Sequence, residues 1–249
     1  MKAIGNSEGN IANVHFLRKA VTGGMSPSQA LEHDGYVITS SVLSTTDVLA
    51  AEKHLQDVLI SSAGTRNLLE YEWCRALVQP LRRAAQLHAI LPASSVAVQC
   101  TLFDKTPERN WLVPLHQDLS IPVLESIEHP ELRAWTIKER QHFVQPPCEV
   151  LERLTAVRVH LDDCGAENGP MRLVPRSHRH GRLSSVAAQR LRDALGEVPC
   201  FVKRGGALVF KPLVLHASSK ACSPRHRRVL HFLFGPPAIG YGLRWRHAI

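Results

Sequence analysis

Residues 205–216 read GGALVFKPLVLH. The paired glycines make a turn, the apolar run that follows has strand length, and a histidine emerges at its end. The same pattern recurs on either side. VAVQCTLF (96–103), AVRVHL (156–161), MRLVP (171–175), CFVK (200–203), ALVF (207–210) and VLHFLF (229–234) are each short and rich in β-branched or aromatic residues. Strands this numerous, separated by Pro and Gly, imply a mainly β sandwich or jelly roll with helices packed outside. One helical pattern, LSSVAAQRLRDAL (183–195), enters the series as an insertion between strands.

The chain before residue 95 has a different character. Residues 1–25 are rich in Gly, Asn and Ser and are expected to be disordered. Ser26 then caps a helix with Pro27 at its first position, and Gly35–Thr39 reads as a short strand. Thr46 and Asp47 open a helix through VLAAEKHLQDVLI (48–60), and a second helix is expected from Asn67 to His88 with a break or kink at Pro80. These patterns predict one domain over 26–249, with a helical part at about 26–94 and a β core at about 95–249.

Composition narrows the class. The chain has 249 residues, 44% hydrophobic and 21% charged, enough to bury a sizeable core. No run approaches the roughly 20 apolar residues of a membrane span. The N-terminus lacks a basic segment followed by an apolar one, so a cytoplasmic location is the default expectation. Six cysteines occur without any C-x-x-C pair, which argues against zinc ribbons and dithiol motifs and for reduced, packed thiols. The formal charge of +8 is dispersed apart from Arg82–Arg83 and the RHRR stretch at 225–228, and no nucleic-acid signature accompanies it. A solvated basic surface, or attraction of a small anionic substrate, explains it better than DNA or RNA binding. The expected partner is a small molecule, not nucleic acid or a membrane; oligomeric state is left open.

Two residue pairs offer metal-ligand chemistry. His116 and Asp118, two apart in WLVPLHQDLS, share one face of an extended strand, and His160 and Asp162 in AVRVHLDD do the same. His216, at the end of its apolar run, can join either pair. Two histidines and a carboxylate form the facial triad of a non-haem iron site and leave coordination positions open. Arg227 opens the next apolar strand, eleven residues after His216, and supplies a fork for a second carboxylate. On a return strand it would lie beside the histidine's strand, with Arg225 and Arg228 as local alternatives. Spacing alone does not choose between His116/Asp118 and His160/Asp162.

The segments NW-x-VP-x-HQD (110–118), VQPP (144–147), HLDDC-x-x-ENGP (160–170), ENGPMRLVPRSH (167–178) and HASS (216–219), with the arginine that follows, resemble the phytanoyl-CoA dioxygenase family of Fe(II)/2-oxoglutarate oxygenases. The likeness runs from about residue 95 to the C-terminus and weakly through the helical part. It implies a double-stranded β-helix (cupin-like jelly roll) with a helical layer outside it. It further implies Fe(II) on His116, Asp118 and His216, and 2-oxoglutarate whose distal carboxylate meets Arg227. Ser218 and Thr101 or Gln99 take positions that support the cosubstrate. O2 is the oxidant, succinate and CO2 are released, and a substrate C–H is hydroxylated. A carboxylate at 118 favours hydroxylation over halogenation. The resemblance turns the strand of His160 from a metal site into a cavity wall.

Arg158 and His160, with Gln117 and Gln145, are then the candidates for substrate contact. Arg158 stands where many relatives carry a tryptophan. His178, Asn168 and Asp163 are read as architectural. Arg176 replaces a glycine of the P-G-S-H pattern, which suggests a different local turn. Two alternatives remain: a cupin-like metal-dependent isomerase or hydrolase, which has no need of a buried anion clamp at Arg227, and a catalytically silent jelly-roll binding protein.

Overall fold

The computed structural model describes residues 24–58, 64–222 and 225–249, so residues 1–23 of the stretch expected to be disordered lie outside the described residues. Helix α1 (Pro27–Asp34) begins on a capping box: Ser26 Oγ accepts from the Gln29 amide, and the Gln29 side chain accepts from the Ser26 amide at 2.8 Å. Gly35 ends it at φ 82°. β1 (Tyr36–Thr39) follows. Helix α2 (Thr45–Leu55) starts a residue earlier than Thr46 because Ser44 is the cap and Asp47 closes the box.

The helix expected from Asn67 to His88 with a break or kink at Pro80 is divided further than that. After β2 (Gly64–Thr65) the chain makes a 3-10 turn at Leu68–Glu70 and three short helices, α3 (Glu72–Ala76), α4 (Val78–Arg83) and α5 (Ala85–His88). Pro80 has no N–H for the Ala76 carbonyl and its ring crowds that group, so the break falls before the proline, at Leu77.

The β portion comprises β3 (Val96–Lys105), β4 (Val113–His116), β5 (Ile121–Val123), β6 (Arg133–Lys138), β7 (Gln141–Gln145), β8 (Thr155–His160), β9 (Met171–Leu173), β10 (Val198–Cys200), β11 (Ala207–Phe210), β12 (His216–Ser218) and β13 (Arg227–Gly235). Helix α6 (Cys148–Glu152) precedes β8, and α7 (Ser185–Leu195) is the insertion between β9 and β10. A major sheet has the order β1-β11-β8-β13-β3-β2, a minor sheet β10-β9-β12-β4, and a third sheet β5-β7-β6. This is the expected mainly β sandwich with helices; it does not close into a barrel. The third sheet has no counterpart among the runs named above: β6 (RAWTIK) is largely exposed, and β5 (IPV) and β7 (QHFVQ), though mostly buried, are short.

Alternation along the major sheet builds two apolar layers. Val157, Val159, Leu230, Phe232 and Leu102 face outward and pack under Val48, Leu55, Leu68 and Leu81 of the helical layer. Ala156, Leu208, Phe210 and Leu233 face inward and meet Ile121, Val144, Met171 and Leu173. A charged cluster ties α2 to the strands: Arg204 grips both Glu52 oxygens at 2.6 Å, and Arg228 reaches Glu52 at 2.6 Å and Asp162 at 2.7 Å. No helix of the described residues is long and apolar enough to cross a membrane.

Candidate metal centre

The minor sheet brings the two histidines together. β12 runs antiparallel to β4 with His216 directly opposite His116, closing the long sequence gap in one register pair. The chain leaves β4 at His116, and the Asp118 amide donates to the Pro212 carbonyl at 2.9 Å. That bond sets the carboxylate between the rings. His116 Nε2 lies 3.7 Å from Asp118 Oδ1, and His216 Nε2 lies 3.7 Å from Oδ2. The three ligand atoms fall within 4.8 Å of one another, which fits one metal ion. Asp118 is off the strand, so a turn places it there, not the strand alternation expected from the spacing.

The ring orientations are fixed from behind. His116 Nδ1 is 2.8 Å from the Pro114 carbonyl and His216 Nδ1 is 2.8 Å from the Val214 carbonyl. A carbonyl only accepts, so each Nδ1 carries the proton and each Nε2 presents its lone pair to the site. Burial pushes His216 down to about 4, so the ring is neutral and ready to ligate. Burial alone would raise the Asp118 carboxyl, but His216 and His116 beside it outweigh this and hold it well below the usual carboxylate range. Asp118 also raises His116 against the opposing effect of burial.

A cavity of about 390 Å³ opens beside the three ligands. Arg227 enters it from the major sheet. This corrects the expected placement: β13 pairs with β3 and β8, not with β12, so the arginine faces His216 across the sandwich instead of lying next to it. Its side chain is 1% exposed, and its Nε and Nη1 have no hydrogen-bond partner. A buried unpaired guanidinium is costly unless an anion completes it. Ser218, Thr101 and Gln99 line the same cavity, with Gln99 Nε2 donating to Thr101 Oγ1 at 2.9 Å.

The substrate candidates divide. Arg158 and Gln145 line the cavity, Gln145 also accepting from Arg182 at 3.3 Å. Gln117 lies at the wall, but its amide is committed to the backbone: Nε2 donates to the Gly181 and Leu213 carbonyls at 2.7 Å each, and Oε1 accepts from Leu183 at 2.9 Å. Gln117→Ala is therefore expected to destabilise the fold by about 2 kcal/mol, seen as a lower Tm, because the buried Leu213 carbonyl and the half-buried Gly181 carbonyl and Leu183 N–H lose their partners. Gln117→Glu should not rescue it, since a carboxylate cannot donate to the carbonyls.

His160 does not line the cavity, which corrects its assignment to substrate. It is 3% exposed with Nδ1 unpartnered, and burial with nearby Arg158 and Arg227 drives it well below its ordinary pKa. Its would-be partner Asp162 is bound to Arg228, so the second His/Asp pair is dismantled. Arg228 belongs to the outer charged cluster and Arg225 is exposed.

His178 contacts the Glu32 carbonyl at 3.2 Å, Asn168 accepts from the Gly165 amide at 2.9 Å, and Asp163 accepts from the Arg204 amide at 2.8 Å, all structural roles. Gly169, at φ 61°, lets the ENGP turn approach Ser219, where an added Cβ would meet the carbonyl oxygen at 2.5 Å. Arg176 sits at φ 66°, the left-handed region glycine favours. The turn thus keeps a glycine-like backbone and is not the different turn expected there.

Two residues at the site went unnoticed in the sequence. Lys105 is 1% exposed and donates to Ser218 Oγ at 3.1 Å and to the Ser219 carbonyl at 2.5 Å. Burial, with Arg227 and Arg158 near, lowers it to about 7. His231 lines the cavity, and burial lowers it to about 4. The signal for both was present: Gln99, Thr101 and Lys105 alternate along β3, and Arg227 and His231 share one face of β13.

The family model for phytanoyl-CoA dioxygenase (PhyH) matches residues 31–229. Among curated proteins none matches the chain in sequence. The structure is similar to EctD from S. alaskensis in its apo form, with TM-score 0.65 and 16% identity over 90% of this chain and 87% of that one. AviO1 from Streptomyces viridochromogenes Tue57 gives TM-score 0.60 and 20% identity over 86% and 95%. The epimerase SnoN in complex with Fe3+, alpha-ketoglutarate and nogalamycin RO gives 0.61 and 13% over 84% and 82%. At these identities the structures establish the shared fold, and the family match establishes kinship. With a His-Asp-His set that fits one metal ion and a buried arginine in the same cavity whose Nε and Nη1 have no hydrogen-bond partner, the chain belongs to the phytanoyl-CoA dioxygenase family of iron- and 2-oxoglutarate-dependent enzymes.

Proposed function

We propose that the protein is a 2-oxoglutarate-dependent non-haem iron hydroxylase acting on an unactivated C–H of a small organic substrate. The observation that carries this reading is the Arg227 guanidinium, buried and unpartnered, in the same cavity as His116, Asp118 and His216. A metal-dependent isomerase or hydrolase needs no such clamp. In this reading His116 and His216 offer Nε2 and Asp118 a carboxylate oxygen to Fe(II), while Arg227 holds the distal carboxylate of 2-oxoglutarate. Ser218 and Thr101 present hydroxyls to the cosubstrate. The bound iron, 2-oxoglutarate and O2 together supply oxidising power for C–H hydroxylation, with succinate and CO2 released. The apolar side chains Leu119, Phe143, Leu151 and Leu154 line the cavity and would hold a hydrocarbon portion away from water.

Fe(II) and 2-oxoglutarate added under anaerobic conditions are expected to give a weak visible charge-transfer band, and O2 should then release succinate when a substrate is present. A properly loaded protein without that band would sink the cosubstrate assignment. Because SnoN is described as an epimerase, the outcome is read separately: a hydroxylated product should carry one atom of oxygen from 18O2. A stereoisomer without the label would replace hydroxylation with epimerisation on the same site.

A further inference from the structure

The cavity holds more fixed positive charge than this reaction uses. Arg158, on β8, lines it at 8% exposure, its guanidinium 4.8 Å from the centre of the Phe103 ring and its Nε without a hydrogen-bond partner. Among the described residues no Asp or Glu forms an ion pair with Arg158, Arg227 or Lys105. Asp118 is the carboxylate of the cavity wall, and it belongs to the metal set.

In the oxygenase reading, on which this inference rests, one carboxylate of 2-oxoglutarate goes to the metal and the other to Arg227. Arg158 is left unmatched. The register places it opposite His231, four residues along β13 from Arg227, an offset of roughly 13 Å between backbone positions. The two side chains therefore leave the sheet at different levels. Burial lowers the Arg158 pKa, and the Arg227 charge still reaches Arg158 and lowers it further, a repulsion that a second anion at Arg158 would offset. The approach is basic as well: Arg66 and Lys138 line the cavity, though Arg66 already pairs with Glu139 at 2.9 Å.

We propose that Arg158 anchors the substrate, and that the substrate is a small organic acid whose carboxylate meets this guanidinium while its hydrocarbon portion lies along the apolar wall. A planar fork over an aromatic ring is rigid, and it matches a carboxylate in a two-point contact that a neutral amide cannot reproduce. Arg158 is a specificity residue in this assignment, distinct from the cosubstrate clamp.

The test uses the full-length protein loaded with redox-inert Ni(II) and isothermal titration calorimetry. The probes are 2-oxoglutarate alone, then hexanoate and hexanamide titrated into the 2-oxoglutarate-saturated protein. Hexanoate is expected to bind at least about 30-fold more tightly than hexanamide. Arg158→Gln should bring that ratio near one while 2-oxoglutarate affinity stays within about threefold, and Arg158→Lys should restore part of the ratio. Equal binding of the two probes by the wild-type protein overturns the proposal without needing any variant. A loss of 2-oxoglutarate affinity in Arg158→Gln as deep as in Arg227→Gln also overturns it, by assigning Arg158 to the cosubstrate. Failure of the wild-type protein to bind 2-oxoglutarate removes the oxygenase reading itself.

Discussion

Alanine at His216 is expected to lower metal retention and metal-dependent turnover on the order of 1,000-fold or more, with the fold intact by circular dichroism. The reason is geometric. The ring is 5% exposed, locked by the Val214 carbonyl and paired in register with His116, so no other side chain can take over its Nε2 position. His160, the other histidine considered for the metal, lies outside the cavity and cannot substitute. His160→Ala is the matching control and should keep its metal. Metal content by plasma mass spectrometry after anaerobic Fe(II) loading reads both, and a His216→Ala protein with stoichiometric iron would falsify the assignment.

Arg227→Met should weaken 2-oxoglutarate binding by about 100-fold, the loss expected for one partner of a buried charge-assisted pair. The same variant should leave the Tm of the ligand-free protein unchanged or raise it. In the free protein Arg227 is a buried guanidinium with Nε and Nη1 unsatisfied, so replacing it with an apolar side chain of similar length relieves a desolvation penalty. Wild type should gain Tm with added 2-oxoglutarate and the variant should not. A residue that merely held the fold together would show the opposite sign, losing Tm without ligand. Differential scanning fluorimetry at matched concentrations separates the two outcomes.

Much of this site could be read from the chain because its parts lie on strongly patterned strands. The runs at 96–103, 156–161, 207–210 and 229–234 all became strands, and the capped start of α1 followed from Ser26, whereas α2 begins one residue before Thr46 because Ser44 caps it. Strand pairing was not readable in the same way. Arg227 and His216 are close in sequence, which suggests neighbouring strands, yet register and sheet order are long-range properties and put them on opposing sheets. The same limit applies to His160 and Asp162. Their alternation matches that of His116 and Asp118, and only the location of Arg228 and Glu52 shows that Asp162 is already used. Gln117 illustrates a third kind of failure. A polar residue between two metal ligands invites a substrate role, but its three partners are backbone groups, at Gly181, Leu183 and Leu213, that no side-chain pattern reveals.

The opposition of His116 and His216 across β4 and β12 gives the metal a second consequence. β12 is three residues long, and its pairing with β4 shifts register between His216 and Ser218, so the backbone contact there is short. A slip of one residue would turn one imidazole to the other face and scatter the ligands. An ion captured by both histidines therefore works as a clasp that proofreads the sheet. It binds only the correctly paired arrangement, adds its binding free energy to that arrangement alone, and cross-links two segments that the unfolded chain holds about a hundred residues apart. The ion read here as the source of the chemistry would also select the strand alignment on which that chemistry depends.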